Sequence, residues 1–328
     1  MKILYAIQGT GNGHIARAED VIPLLRQYGE LDIFVSGAQA DIKLSYPVKY
    51  KSKGLSFYFG KSGGINFLKT FKNNNSKDVY KEIKKFPVEK YDFVINDFEP
   101  ISAWACRKRE IPCVALSHQS ALLSPKVPKP SNLDPVGEWI LHNYAPVDKH
   151  VAFHFEKYDK NIFTPVIRST IRNCNVEVKD HYTVYLPAFD DHKLVPLLSK
   201  IDAKWHVFSK HTRKAYHSGK VGVYPVNSDD FVASMTTSKG VLCGAGFETP
   251  AEALFLKKKL MVVPMQSQLE QHYNAVSLKQ LGVPVLKKMG KKSLHKIQEW
   301  VDSSNPIDVN FEDVTAEAVS LAVKLARK

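Results

Sequence analysis

The sequence predicts an α/β fold in which helices cover parallel sheets, divided over two domains. Two observations carry this reading. Short apolar runs alternate with helix-period segments from end to end, and the 328 residues exceed what one core of ordinary size holds. In the first half, residues 3–7 read as a strand, 15–28 as a helix, 31–36 as a second strand and 91–96 as another. A helix follows over 101–109, then a strand over 113–116. Strands separated by helices pair in parallel, because a parallel return needs a crossover long enough to be a helix. The second half repeats the style, with strands at 182–186, 205–208, 222–224, 240–243 and 260–263 and helices at 249–256 and 271–280. Residues 163–173 carry Pro165, show no period and read as the linker. Over 314–325, Val314, Ala318, Leu321, Ala322 and Leu325 fall on one helical face, the pattern of a packing helix.

Composition narrows the function classes. With 44% hydrophobic and 24% charged residues the chain is neither disordered nor fibrous. The four cysteines, Cys106, Cys113, Cys174 and Cys243, show no CxxC spacing, which excludes zinc ribbons and thioredoxin-like redox motifs. The N-terminal residues form a strand leading into glycines rather than a signal peptide, and no apolar run approaches ~18 residues. A cytoplasmic protein with reduced thiols is the expectation. Lys and Arg total 46 against 33 Asp and Glu, a net charge of +13, which favours an anionic partner. Residues 49–90 hold eleven Lys against three acids, interleaved with Phe57, Tyr58, Phe59, Phe67, Leu68 and Phe71. That stretch reads either as a solvated surface or as a patch docking on anionic lipid headgroups or an anionic acceptor. A nucleic-acid-binding protein is the rival from another class, but no helix-turn-helix, zinc finger or RNA-binding aromatic motif accompanies the charge.

Two segments carry chemistry. After the first strand come Gly9, Gly11 and Gly13, which let the backbone approach a ligand. The helix that follows offers free N–H groups to an anion. The spacing G-x-G-x-G-H departs from the dinucleotide fingerprint, although Asp32 stands where that fingerprint wants an acid. His14, at the helix start, has its cationic form disfavoured by the helix dipole and reads as a general base or as a polar first-turn residue. Asp97 ends a strand, where open parallel sheets face their ligand. It reads as a carboxylate that orients His14, or as a helix N-cap. Glu99 competes for that role, and His118, at the end of the next strand, is a further candidate for the crevice. In the second segment, Gly244, Ala245 and Gly246 follow a strand and precede Thr249, Pro250 and a helix carrying Glu252. Small residues at a helix start suit a phosphate, and a carboxylate one turn on suits the two hydroxyls of a ribose. Glu270 and Gln271 stand within reach of sugar hydroxyls, ahead of Asn274.

GxGxGHxxR near the N-terminus, GxxTxxEAL from Gly246 and the later EQxxNA together resemble the GT-B glycosyltransferases. The nearest groups are the UDP-glycosyltransferases and the lipid-linked N-acetylglucosaminyltransferase of peptidoglycan synthesis. The resemblance implies two Rossmann-like domains with parallel sheets facing across a cleft. Residues 1–163 would bind the acceptor, 164–310 the nucleotide sugar, and 311–328 would form a packing helix. It implies His14 as base with Asp97 as its partner; Gly11, Asn12, Gly13 and Arg17, with His118 from its place at a strand end, are the expected substrate-binding residues of this half. Gly246, Thr249 and Glu252 match the diphosphate and ribose positions. Glu270 and Gln271 match the pair that holds the donor sugar, with Glu in place of Asp. Val226 matches a backbone contact to the nucleobase. Glu248 and Gly244 depart from the pattern, since many members carry a neutral residue and a phosphate-binding His there.

The implied activity is inverting transfer of a hexosyl group from a nucleotide diphosphate sugar, with UDP as the nucleotide. The acceptor would be a sugar or lipid-linked hydroxyl of the cell envelope, met at the inner membrane face. No cofactor and no metal are expected, because the sequence has no Asp-x-Asp, His150 and His154 sit in a strand-like context, and the G-K-S near Gly60 lacks the upstream glycine of a P-loop. Two alternatives share the architecture: a UDP-sugar hydrolase of the pseudaminic-acid type and a non-hydrolysing sugar-nucleotide epimerase.

Overall fold

A computed structural model describes residues 1–37, 44–54, 76–132, 134–266, 268–302 and 305–328. These divide into two compact units. One comprises the described residues within 1–168 together with Glu312–Lys328, and the other those of Ser169–Phe311.

The first unit runs β1 (Lys2–Gln8), α1 (Asn12–Arg26), β2 (Glu30–Ser36), β3 (Tyr50–Ser52), α2 (Ser76–Lys85), β4 (Phe93–Asp97), α3 (Pro100–Arg109), β5 (Cys113–Ser117), α4 (Pro135–Asn143), β6 (Lys149–Phe153) and β7 (Ile162–Phe163). Its sheet has the order β3-β2-β1-β4-β5-β6-β7, and every pairing is parallel. From Ile3 to Gln8, β1 is buried without alternation, as expected for a central strand covered on both faces. Leu4, Ala6, Phe34 and Val94 pack with Ile101, Ala105 and Cys106 of α3 on one face. On the other face the chain's last helix (Thr315–Ala326) packs beside α1.

The second unit contains α5 (Ser169–Arg172), β8 (Tyr182–Tyr185), α6 (Asp191–Leu198), β9 (Trp205–Ser209), β10 (Tyr216–Ser218), β11 (Val221–Pro225), α7 (Ser228–Thr237), β12 (Gly240–Gly244), α8 (Glu248–Phe255), β13 (Lys259–Val263), α9 (Leu269–Gln280) and α10 (Leu294–Asp302). Its strand order is β10-β11-β9-β8-β12-β13, parallel throughout except for the antiparallel edge strand β10. Val184, Trp205, Val207, Leu242 and Met261 form its core with Trp300 of α10.

Both sheets reverse direction of growth once. In the first, β1 has β2 on one side and β4 on the other; in the second, β8 lies between β9 and β12. Such switch points leave a crevice at the carboxyl ends of the two strands, the general ligand position in open α/β sheets.

Several expectations shift. The first helix begins at Asn12 rather than residue 15, because Gly11 in extended conformation (φ −147°) acts as its N-cap. His14 therefore lies inside the first turn. The linker gives way to α5 at Ser169, so the first unit ends a few residues beyond 163. The C-terminal packing helix belongs to the first unit. This helix, α11 (Thr315–Ala326), returns to pack on α1 and on β4, β5 and β6, burying Ala318, Val319, Ala322 and Val323. Helices α2, α4, α6, α7 and α10 and the short strands β3, β7 and β10 escape the pattern reading. They are brief, and Pro196 interrupts the period of α6. Phe57, Tyr58, Phe59, Phe67, Leu68, Phe71 and the Gly60 triplet lie outside the described residues. Among the described residues no helix is long and apolar enough to cross a membrane.

The return of α11 makes the first unit's core depend on the last residues of the chain. Ala322→Asp puts an unpaired carboxylate into that packing and should cost on the order of 3 kcal/mol. The expected outcome in urea denaturation is an earlier transition for the first unit, with the second unit's unchanged.

Candidate functional site

At the first switch point the register sets Asp97 beside Ile7, one residue before β1 ends. Side chains alternate along β4. Asn96 turns to α3, where its amide donates to the Glu99 carbonyl (2.7 Å) and to Ser102 Oγ (3.0 Å). Asp97 turns to α1, with no solvent exposure. There Arg17 Nη2 donates to both carboxylate oxygens, at 2.7 and 2.9 Å, and His14 Nδ1 lies 2.8 Å from Oδ1. Three residues separate His14 from Arg17, so the first turn of α1 presents both on one face.

Burial alone would raise the Asp97 carboxyl. The Arg17 and His14 charges and their hydrogen bonds outweigh it and hold the group below the ordinary carboxylate range. An ionised carboxylate only accepts, so the facing His14 nitrogen carries the proton, and in the neutral ring Nε2 keeps its lone pair. Arg17 Nη2 also stands 3.1 Å from His14 Nδ1. With the proton on Nδ1 this is a contact of two donors converging on one oxygen, not a hydrogen bond. Gln119 Nε2 lies 3.4 Å from His14 Nε2. The His14 side chain keeps 12% exposure while Arg17 keeps 2%, so the imidazole is the part of the cluster that meets solvent.

The two acids of the segment are sorted by one strained residue. Phe98 has φ 57°, the left-handed region that costs a bulky side chain about 1–2 kcal/mol. Its ring lies against Tyr144, with centroids 5.0 Å apart. Past this turn Glu99, not Asp97, caps α3, accepting from Ile101 N (2.9 Å) and Ser102 N (2.7 Å) and from the hydroxyls of Ser36 and Ser102 (2.6 Å each). Burial pushes the Glu99 carboxyl up, because these donors carry no charge to oppose it fully. The competition between the two acids is thus decided by position.

The remaining first-unit candidates separate. Gly11 is the cap of α1, and Asn12 and Gly13 form its first turn beside His14. Gly9 is tight for a different reason: a Cβ there would stand 2.9 Å from Val35 Cγ1. His118 does not line the crevice. It is 1% exposed and turned to β6, with Nδ1 2.9 Å from the Phe153 carbonyl. Its neighbour Gln119 reaches His14 instead. No pattern marks a lone Gln after a strand, and the sequence reading misses it.

The second switch point holds a cavity of about 80 Å3 lined by Tyr185 to Phe189 after β8 and by Gly244, Gly246 and Thr249 after β12, with Met265 and Gln271. A Cβ on Gly246 would meet nothing within 4 Å, so packing within the chain does not demand glycine there. Side chains of α9 hold the backbone at two of these places. Met265 N donates to Gln271 Oε1 (2.9 Å), and Asn274 Nδ2 donates to the Ala245 carbonyl (3.1 Å). Glu252 is 3% exposed in α8 and, like Glu270 and Val226, is not among the lining residues. Glu270 stands in the first turn of α9, and Val226 directly follows β11. Glu248 opens α8.

One group among the described residues brings metal-type ligand atoms together: Asp190, Asp191 and His192, within 4.8 Å of one another. Its carboxylates have structural partners. Asp190 caps α6 through His192 N (2.9 Å), and Asp191 accepts from the hydroxyls of Ser209 (2.7 Å) and Tyr216 (2.6 Å).

Asp97→Ala leaves the buried Arg17 guanidinium without its carboxylate and should cost about 3–5 kcal/mol, read by urea denaturation. The pH dependence has a defined sign. The folded pKa of Asp97 lies below the ~3.9 of an unfolded chain. Its contribution is complete above about pH 4 and is lost as pH falls through the lower folded value. Stability of the variant should lack that acid-side component.

The chain matches the family described as glycosyl transferase family 1 over residues 1–303. No curated protein sequence matches it. Among solved structures it is similar to UGT89C1 of Arabidopsis thaliana complexed with quercetin, at 12% identity and TM-score 0.61, covering 99% of both chains. It is likewise similar to MurG of Acinetobacter baumannii, at 13% identity and TM-score 0.53, covering 99% of this chain and 94% of that one. The glycosyltransferase SnogD of Streptomyces nogalater matches at 14% identity and TM-score 0.53 over 99% of each chain. These neighbours share the GT-B fold, in keeping with two parallel-dominated sheets each carrying a switch point. A family match across nine-tenths of its length means that the chain belongs to glycosyl transferase family 1 and is a glycosyltransferase of the GT-B fold.

Proposed function

We propose that the protein transfers a sugar from a nucleotide diphosphate sugar, with UDP as the nucleotide, to an acceptor hydroxyl with inversion at the anomeric carbon. The observation that carries this reading is the His14–Asp97 contact at the first switch point. It leaves a base-competent Nε2 on the one group of the cluster that meets solvent. His14 takes the proton of the acceptor hydroxyl, and that oxygen bonds to the anomeric carbon. The bond from that carbon to the diphosphate breaks, and the electron pair leaves with UDP. Asp97 stabilises the imidazolium that forms.

The second unit supplies the anion cradle. Its backbone amides around Gly244–Gly246, the start of α8 and the Thr249 hydroxyl would meet the charge that develops on the diphosphate. UDP as the nucleotide is supported by fold neighbours solved with UDP and with UDP-L-rhamnose. The reading assigns no metal to this step. The basic stretch 49–90 extends the acceptor class to lipid-linked hydroxyls at an anionic membrane face inside the cell.

The test is a thermal-shift panel of UDP-, GDP-, TDP- and CMP-sugars, followed by a transfer assay with the donor that binds. Gly246→Ala should leave stability within ~0.5 kcal/mol, since its methyl meets open space, yet abolish the donor-induced shift. With a donor and acceptor in hand, His14→Ala should lower kcat by about 10²–10⁴, and chelation with EDTA should leave the rate unchanged. Full activity of His14→Ala, or a rate lost to EDTA, contradicts the mechanism. Donor consumption indifferent to every acceptor would identify water as the acceptor.

A further inference from the structure

A base–carboxylate dyad needs one partner for its carboxylate, and Asp97 has two. Arg17 spans both oxygens at 2.7 and 2.9 Å while His14 shares Oδ1, and the guanidinium nitrogen that makes these bonds stands 3.1 Å from His14 Nδ1. Arg17 is 2% exposed, so its guanidinium is turned inward to Asp97 and away from any ligand in solvent. We propose that Arg17 is a positioning residue: it keeps Asp97 an ionised, permanently paired carboxylate, so that His14 rests as the neutral Nδ1–H tautomer with Nε2 as its basic atom.

The argument is one of charge balance. A carboxylate with no solvent exposure requires a counter-charge. If imidazole were the only available partner, the buried charge would be balanced by protonating His14, and the base would be spent before the acceptor arrived. Arg17 supplies that charge permanently, because guanidinium does not titrate in proteins. Its nearness to Nδ1 further disfavours imidazolium in the resting state. Asp97 still offers Oδ1 to the proton on Nδ1 when Nε2 gains its own. Arginine suits the task where lysine does not, because its planar fork takes two carboxylate oxygens at once.

Among the described residues, several groups that face the cluster from other elements are neutral or engaged elsewhere. Tyr5 on β1 is held protonated by burial and by the Asp97 charge. Gln119, from the turn after β5, is neutral, and so is Phe153 of β6, whose ring centroid lies 5.9 Å from Arg17 Cζ. Glu99 is engaged with Ser36, Ser102 and the start of α3. His154, behind His118, is held neutral by burial.

The inference rests on the reading of His14 as the base, and the experiment separates the two. Histidine-labelled full-length protein is titrated by NMR, with the His14 signal assigned by its loss in His14→Gln. In the wild type His14 should be neutral at pH 7. In Arg17→Gln its proton affinity should rise at least tenfold, a shift of one pH unit or more. Arg17→Lys keeps a cation but contacts only one oxygen, so it should move the titration the same way by less. The acid limb of the kcat/KM profile should move with the NMR titration. A His14 protonated at pH 7 in the wild type overturns the inference. So does an unmoved titration in both variants, or in Arg17→Lys alone where Arg17→Gln does not fold. If no sugar is transferred at all but His14 shifts as stated, the transferase reading fails and the role of Arg17 stands.

Discussion

A carboxylate at the end of a central parallel strand, with no access to water, has to be paired or it unfolds what surrounds it. Asp97 is such a group, and much of the first unit's local structure follows from it. The partners come from the first turn of α1, which means the glycine segment must end at Gly11 and the helix must begin at Asn12. A helix starting three residues later would not carry His14 and Arg17 on a common face directed at β4. The short glycine segment thus works here as a spacer that sets helical phase.

The stretch from Asn96 to Glu99 shows how two acids two residues apart acquire opposite behaviour. Strand alternation sends Asn96 to α3 and Asp97 to α1. The left-handed Phe98 then reverses the chain so that Glu99 points back into α3. Asp97 meets a guanidinium and an imidazole and is held ionised, whereas Glu99 meets hydroxyls and amides and is pushed toward the neutral form. Neither the residue type nor the burial distinguishes them; the charge of the neighbours does. The left-handed turn at Phe98 puts the capping of α3 and the pairing with Arg17 and His14 on separate carboxylates.

The second unit follows a different logic. Its loop after β12 carries a glycine, Gly246, with open space where a side chain would stand, while Asn274 of α9 holds the neighbouring Ala245 carbonyl and Gln271, a lining residue, holds Met265 N. Glu252 and Glu270 stand outside the cavity lining, so their part in sugar binding belongs to the proposed function and not to the cavity as it is.

Apolar runs alternating with helical periods were enough to establish an α/β chain in two parts. The positions of β1, β4, β8 and β12 follow directly, because continuous burial leaves a continuous apolar run, and so do the helices after β1, β4 and β12. The motif residues His14, Gly246, Thr249 and Gln271 were legible for a related reason: glycine and small residues between a strand and a helix have few other causes. The pairing of His14 with Asp97 is different in kind. The two are 83 residues apart, and they meet because β4, not β2 alone, lies beside β1 in a register that only the assembled sheet defines. The same holds for Arg17 as Asp97's partner, for Gln119 in place of His118, for Glu99 as the cap and for the return of the last helix to the first unit. Local sequence determines what each segment forms, since propensity and period act over a few residues. Which segments become neighbours is decided by burial across the whole fold, and the charge balance of the site exists only once they are.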